Sequence, residues 1–118
     1  MTNAGLATPE IQAQLIAEAL LSADVGFLVW DEDRTYIAAN ACACEILGTT
    51  LEELLGQPVG GHTVGGDALV EQAVREESTW GEADVERFDG GGAVRVRYAT
   101  FATRSAGMPF MATVIRRL

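Results

Sequence analysis

The chain contains no lysine, a single histidine and only two cysteines in 118 residues, and each scarcity excludes a class of function. Eight arginines against seventeen acids leave a formal net charge of −9, so nucleic acid and anionic membrane surfaces would meet a repulsive field. Cys42 and Cys44 are one residue apart, a spacing that on a helix turns the thiols to nearly opposite sides. They cannot bridge each other, and with His62 distant in sequence they lack the soft ligands a metal site requires. Buried, reduced thiols are expected. No apolar run approaches the ~18–20 residues needed to span a bilayer, and Met1-Thr2-Asn3-Ala4 lacks the basic start of a secretory leader. The expected location is the cytoplasm.

Apolar residues make up 48% of the chain and charged residues 21%, the balance of an ordinary folded domain. A chain of this length buries a core without metal or disulfide staples. The charge is unevenly spread. Residues 1–60 hold nine acids and one arginine, residues 61–92 eight acids and two arginines, and residues 93–118 five arginines and no acid. The basic C-terminal stretch therefore needs an acidic partner inside the fold.

Thr8-Pro9-Glu10 reads as a helix start, because threonine can cap, proline suits the first helical position and glutamate favours the positive end of the dipole. Ile11, Leu15 and Ala19 recur every four residues beside Ile16 and Leu20, giving an amphipathic leading helix to about residue 21. Two short apolar runs, 26–30 and 35–39, flank Asp31-Glu32-Asp33-Arg34 and predict a hairpin. Simple alternation puts Phe27, Val29 and Tyr36 on one side and Leu28, Trp30 and Ile37 on the other, so both faces need cover. Asn40 caps a short helix 41–47 stopped by Gly48, and Thr50 with Glu53 forms a capping box for a second that ends at Gly56. Residues 59–66 hold four glycines and predict a mobile loop, after which Asp67 caps a longer helix.

The last forty residues read as three antiparallel strands, about 79–88, 93–103 and 109–117. Pairing residues whose numbers sum to about 181 sets Glu86 against Arg95 and Asp84 against Arg97 on one face. The same register sets Val85 against Val96 and Ala83 against Tyr98 on the other. The charge asymmetry is then answered within the sheet. Trp80 and Phe101 fall on the charged, outward face, where two aromatics call for apolar cover. The stripe Ile11, Leu15, Ala19 is the expected cover, folded back within the chain or exchanged in a homodimer.

The order helix, hairpin, three helices and three-stranded meander makes an α+β fold. Within it, Gly26-Phe27-Leu28-Val29-Trp30-Asp31-Glu32-Asp33 resembles the first strand and turn of a PAS (Per-ARNT-Sim) domain, and Tyr36-Ile37-Ala38-Ala39-Asn40 its second strand with a terminal Asn. Ile46-Leu47-Gly48 and Leu54-Leu55-Gly56 stand where PAS domains commonly show helix-ending glycines. The resemblance covers about residues 20–118. It implies a PAS fold, a five-stranded antiparallel sheet with short helices across one face around a central cavity. Residues 1–22 would then be a flanking dimerisation helix and 23–118 the domain proper. It also implies a non-catalytic sensor or protein-interaction module in signal transduction, with an effector protein as a further partner.

Function has to be argued at the site. The cavity is expected to be lined by Leu69, Val70, Ala73, Val85, Val96 and Tyr98, with His62 on the loop leading into the long helix, and to take a small apolar ligand or cofactor. Haem through His62 is an alternative. The resemblance disfavours it, since the ligand in haem PAS sensors comes from the helix spanning 68–78 here, which has no histidine. Flavin photochemistry needs a reactive cysteine after the second short helix, where this chain has Gly60-Gly61-His62-Thr63. The glycine pairs have no Lys or Arg to complete a phosphate cradle. A PAS domain used only for dimerisation is a further alternative. A small cone-shaped α+β isomerase or hydratase is another, but it needs a carboxylate beside Tyr98, and none is visible. The chain stops at Leu118, directly after the last expected strand, consistent with either a whole protein or a piece of a larger sensor.

Overall fold

Strands from both ends of the chain lie side by side in one sheet. The computed structural model describes residues 3–118. Its elements are α1 (Asn3–Leu6), α2 (Pro9–Leu21), β1 (Gly26–Trp30), β2 (Tyr36–Ala39), α3 (Ala41–Leu47), α4 (Leu51–Leu54), α5 (Gly66–Glu76), β3 (Ser78–Glu86), β4 (Ala93–Ser105) and β5 (Met108–Arg117). The sheet is antiparallel throughout, in the order β2-β1-β5-β4-β3. Helices α3 to α5 cover its inner face, an α+β fold.

The short helices start and stop as their sequence dictates. Asn40 Oδ1 accepts from Ala43 N at the start of α3, and Gly48 ends that helix at φ 69°, a left-handed conformation that costs glycine little. Thr50 Oγ1 accepts from Glu53 N to open α4. Helix α3 lies directly on β1 because Gly26 has no side chain. A Cβ there would come within 2.6 Å of Ile115 Cγ1 and 3.0 Å of Ala43 Cα. Leu28, Ala43, Ile46, Leu47, Leu54, Val85, Val96 and Ile115 form the main core, and Trp30, Val70 and Ala73 a second cluster beneath α5. Each of these large apolar side chains contributes roughly 1.5–3 kcal/mol on burial.

Helix α5 departs from expectation at its start. It begins at Gly66 behind a left-handed Gly65, so Asp67 lies in the first turn and does not cap. The glycine-rich stretch before it is no loose loop. Val64 N donates to Asp84 O at 2.9 Å and Glu86 N to His62 O at 2.7 Å, so residues 62–64 run as a short strap along the free edge of β3. Strand edges left bare invite aggregation, and the strap covers the Asp84–Glu86 end of this one.

The β3–β4 register is shifted by two residues from expectation. Glu82 pairs with Arg97, Asp84 with Arg95, Ala83 with Val96 and Val85 with Val94. A shift of two preserves the faces, so the ionic and apolar sides stay as expected. The cause is the turn. Arg87 N donates to Gly92 O, while Phe88 N leaves the ladder to donate to Leu47 O at 2.8 Å. Arg87 also grips Asp89 with two nitrogens and donates through Nη1 to the Glu45 and Ile46 carbonyls at the end of α3. The turn is stapled to a helix that local pairing rules do not see.

A second correction concerns β2. Val29 pairs with Ala38 but Trp30 with Tyr36, so a bulge at Ile37 reverses the alternation. Tyr36 therefore turns into the core and Ile37 outward, the opposite of simple alternation. Finally, α2 does not fold back on the sheet. None of its residues is buried, and Leu15, Ile16 and Leu21 are exposed.

Candidate functional site

The inner face of the sheet, helix α5 and residues 58–63 line a partly open cavity of about 90 Å³. Its walls are largely apolar: Leu28, Val85, Val96 and Ile115 from the sheet, and Leu69, Val70 and Ala73 from α5. Among the described residues no acid or arginine lines it. All seven residues expected at the cavity, Leu69, Val70, Ala73, Val85, Val96, Tyr98 and His62, line it. The close seating of α5 rests on paired glycines, because a Cβ on Gly66 would approach Gly60 O to 2.0 Å.

Polar groups gather on part of the floor. Thr79, Thr100 and Thr113 stand in one row across β3, β4 and β5, each paired with the next. All three line the cavity, and Thr79 and Thr100 are buried. Trp30 Nε1 donates to Thr113 Oγ1 at 3.0 Å, and Thr113 and Thr100 share a hydrogen bond of 2.9 Å. Sequence reasoning missed this row. The three threonines are spread over 34 residues of chain and share no motif, and only the register aligns them.

The aromatic wall carries the other polar atoms. Burial pushes the Tyr36 phenol up to about 12, against a smaller opposing pull from the Gly60 backbone N–H. It remains a neutral hydroxyl at any physiological pH. The His62 ring stacks on Phe88 with centroids 3.7 Å apart and planes at 8°. Tyr98 lies over Gly81, whose missing side chain makes room for the phenol. Burial raises both thiols, Cys44 in the core and Cys42 beside Glu45 and Asp24 as well, so neither is activated as a thiolate.

A porphyrin or flavin ring system is far larger than this cavity. The histidine of the lining, His62, lies on the strap before α5, and α5 itself supplies none. The residues present do not fit haem or flavin. No carboxylate lines the cavity beside Tyr98, so the arrangement the isomerase alternative requires is missing from the described residues.

The outer face of the sheet is the second candidate surface. Trp80 is 78% exposed and Phe101 lies near it, facing Ser78 across the ladder while Trp80 faces Ala99. The expected register would have set the two aromatics directly opposite. Arg95 bonds Asp84 at 3.0 Å and Arg97 bonds Glu82 at 3.2 Å, exposed pairs that select register more than they add stability. Arg97 and Arg116 stand directly opposite each other on the next ladder. A shallow groove over Val25, Trp80, Ala99 and Val114 carries both of these arginines. Ile11, Leu15 and Ala19, the other half of the expected interface, sit on α2 and do not line this groove.

Among the described residues no helix is long and apolar enough to cross a membrane. Comparison with curated proteins finds no match. Solved structures do resemble this one. The PAS domain of an HTR-like protein from Haloarcula marismortui superposes with a TM-score of 0.76 at 21% identity, covering 92% of this chain and 93% of that one. A domain of a sensory box sensor histidine kinase/response regulator from Geobacter sulfurreducens gives 0.81 at 19% identity, over 95% and 99% of the two chains. The PAS domain of nitrogen regulation protein NR(II) from Vibrio parahaemolyticus gives 0.73 at 14%, over 88% and 98%. These likenesses establish the fold. The family model described as the PAS fold matches residues 20–108, most of the chain, and the chain belongs to the PAS family.

Proposed function

We propose that this PAS domain is a non-catalytic sensory module of a cytoplasmic signalling system that takes a small, largely apolar ligand in its central cavity. The observation that carries the reading is the cavity itself: about 90 Å³ of apolar-walled space with no acid or arginine in its lining. A dimerisation module with a filled core would close that space. Two structural relatives are domains of proteins whose names place them in sensing or regulation, which agrees with the reading. An NMR titration of the labelled chain with small neutral organic molecules tests it. Shifts are expected at the amides of Val70, Ala73 and Val96, and a panel that moves none of them defeats the reading.

We further propose that the domain works as a homodimer in which α2 of each chain covers the outer face of its partner's sheet, through Ile11, Leu15 and Ala19 on one side and Trp80 and Phe101 on the other. A helix of 13 residues is marginal in water on its own, and no residue of α2 is fully buried within its own chain. Charge supports this occupant. Residues 1–24 contain three acids and no base, while the groove beside Trp80 carries Arg116 in addition to Arg97, which is paired with Glu82.

A further inference from the structure

The row of threonines leaves an imbalance of hydrogen-bond donors. Trp30 Nε1–H, Thr113 and Thr100 form a short chain, and the threonine pair uses only one of its two hydroxyl hydrogens internally, whichever oxygen donates. The other hydrogen has no acceptor among the described residues. Thr79 adds a second, because its side chain makes no hydrogen bond although only 7% of the residue is exposed, and it lines the same space. Two hydroxyl donors therefore face a cavity that offers no carboxylate to receive them, and an oxygen of a bound molecule would supply the missing acceptor.

We infer that the cavity binds a small neutral molecule carrying a hydrogen-bond acceptor such as a carbonyl or ether oxygen, seated on Thr79, Thr100 and Thr113 with its apolar part against Val70 and Ala73. This deepens the ligand-sensing reading above and rests on it. A charged ligand is disfavoured because the lining holds no acid or arginine to neutralise an ion. Size follows from volume. A cavity of 150 Å³ accepts benzene, so about 90 Å³ suits a molecule of roughly three to five non-hydrogen atoms. The seat also has a route outward. Each threonine is followed in sequence by an outer-face residue, Trp80, Phe101 or Val114, because successive strand residues face opposite sides. A bound oxygen thus pulls on the strand positions that carry the proposed dimer surface.

The experiment compares butan-2-one with 2-methylbut-1-ene, which exchanges the carbonyl oxygen for a methylene of similar shape, by NMR titration of the full chain. The same titrations are run on the isosteric Thr79→Val/Thr100→Val variant, and dissolved xenon serves as a probe of the cavity alone. In the wild type the ketone competes with the alkene despite the cost of stripping water from its oxygen. The double variant shifts the ketone-to-alkene ratio of dissociation constants about 10-fold against the ketone. A ratio that stays within about twofold overturns the threonine seat while leaving the cavity reading intact. Failure of xenon and both organic molecules to perturb the cavity amides overturns both. If the variant does not fold, the infrared stretch of the bound ketone decides. A frequency lowered as by a hydroxyl donor supports the seat, and the frequency found in an alkane solvent refutes it.

Discussion

Asn40 and Phe27 hold each other twice: Phe27 N donates to Asn40 Oδ1 at 3.0 Å, and Asn40 N donates to Phe27 O at 3.0 Å. The same side chain caps α3 through Ala43 N, and its Nδ2 donates to Leu20 O at 2.6 Å and Val25 O at 2.9 Å. One buried amide thereby joins the first strand, the first core helix and the last turn of α2. Asn40→Ala is expected to cost about 2–4 kcal/mol in urea unfolding, the sum of a lost cap and backbone groups left unpaired. Asn40→Asp keeps the acceptor and removes both donors. Hydrogen exchange should therefore accelerate around residues 20–25 while α3 stays protected, and uniform exchange across both segments would refute this division of roles.

Gly66 and Gly60 approach so closely that no side chain fits between them. A methyl group on Gly66 would meet Gly60 O at 2.0 Å, so Gly66→Ala must push α5 from residues 58–61. The expected loss is about 1–3 kcal/mol, with weaker ligand binding because one cavity wall moves. Gly56→Ala, where a Cβ has open space but φ is 86°, introduces backbone strain alone and should leave the cavity amides unshifted. Equal spectral disturbance in the two variants would count against the contact.

The dimer proposal predicts a concentration-dependent blue shift of tryptophan emission. Trp80 is 78% exposed in the single chain and Trp30 only 2%, so the change reports Trp80. Leu15→Glu should weaken association by at least about 100-fold, since a two-fold interface repeats each loss. Sedimentation equilibrium measures the association directly, and a wild-type monomer at millimolar concentration ends the proposal.

Alkaline pH should unfold the protein through Tyr36. Its proton is held more tightly in the native state, with the phenol raised from 10 to about 12. The contribution is therefore complete below pH 10 and is lost as pH rises toward 12. It amounts to on the order of 2–3 kcal/mol. Tyr36→Phe should flatten that part of the profile in thermal unfolding. At the acid end Asp89 behaves oppositely. The Arg87 side chain and then Gly91 N–H hold its carboxyl down at about 2, so its support is present above its ordinary value near 4 and fades as pH falls through 2. Asp89→Asn should remove that acid limb, and a profile identical to wild type below pH 4 would show the Arg87 staple to be immaterial.

Local rules carried far in this chain. Asn40, Gly48 and Thr50 act within a few residues of themselves, so their capping roles were legible directly, as was the alternation that made one face of β3 and β4 ionic and the other apolar. The apolar part of the cavity lining, Leu69, Val70, Ala73, Val85 and Val96, was legible for the same reason, since helical spacing in α5 and strand alternation both mark inward positions. The fold followed from element order together with the family resemblance.

Contacts between distant segments decided the rest. Tyr36 faces the core because a bulge inserts Ile37, and no periodic pattern contains its own interruption. The turn after β3 is set by Arg87 reaching the carbonyls of α3 across some forty residues, which moved the register by two. The threonine row exists only because three strands align at one level. Sequence determines which way a side chain can point where the period is unbroken; which groups then meet depends on register and packing, and those are properties of the assembled sheet.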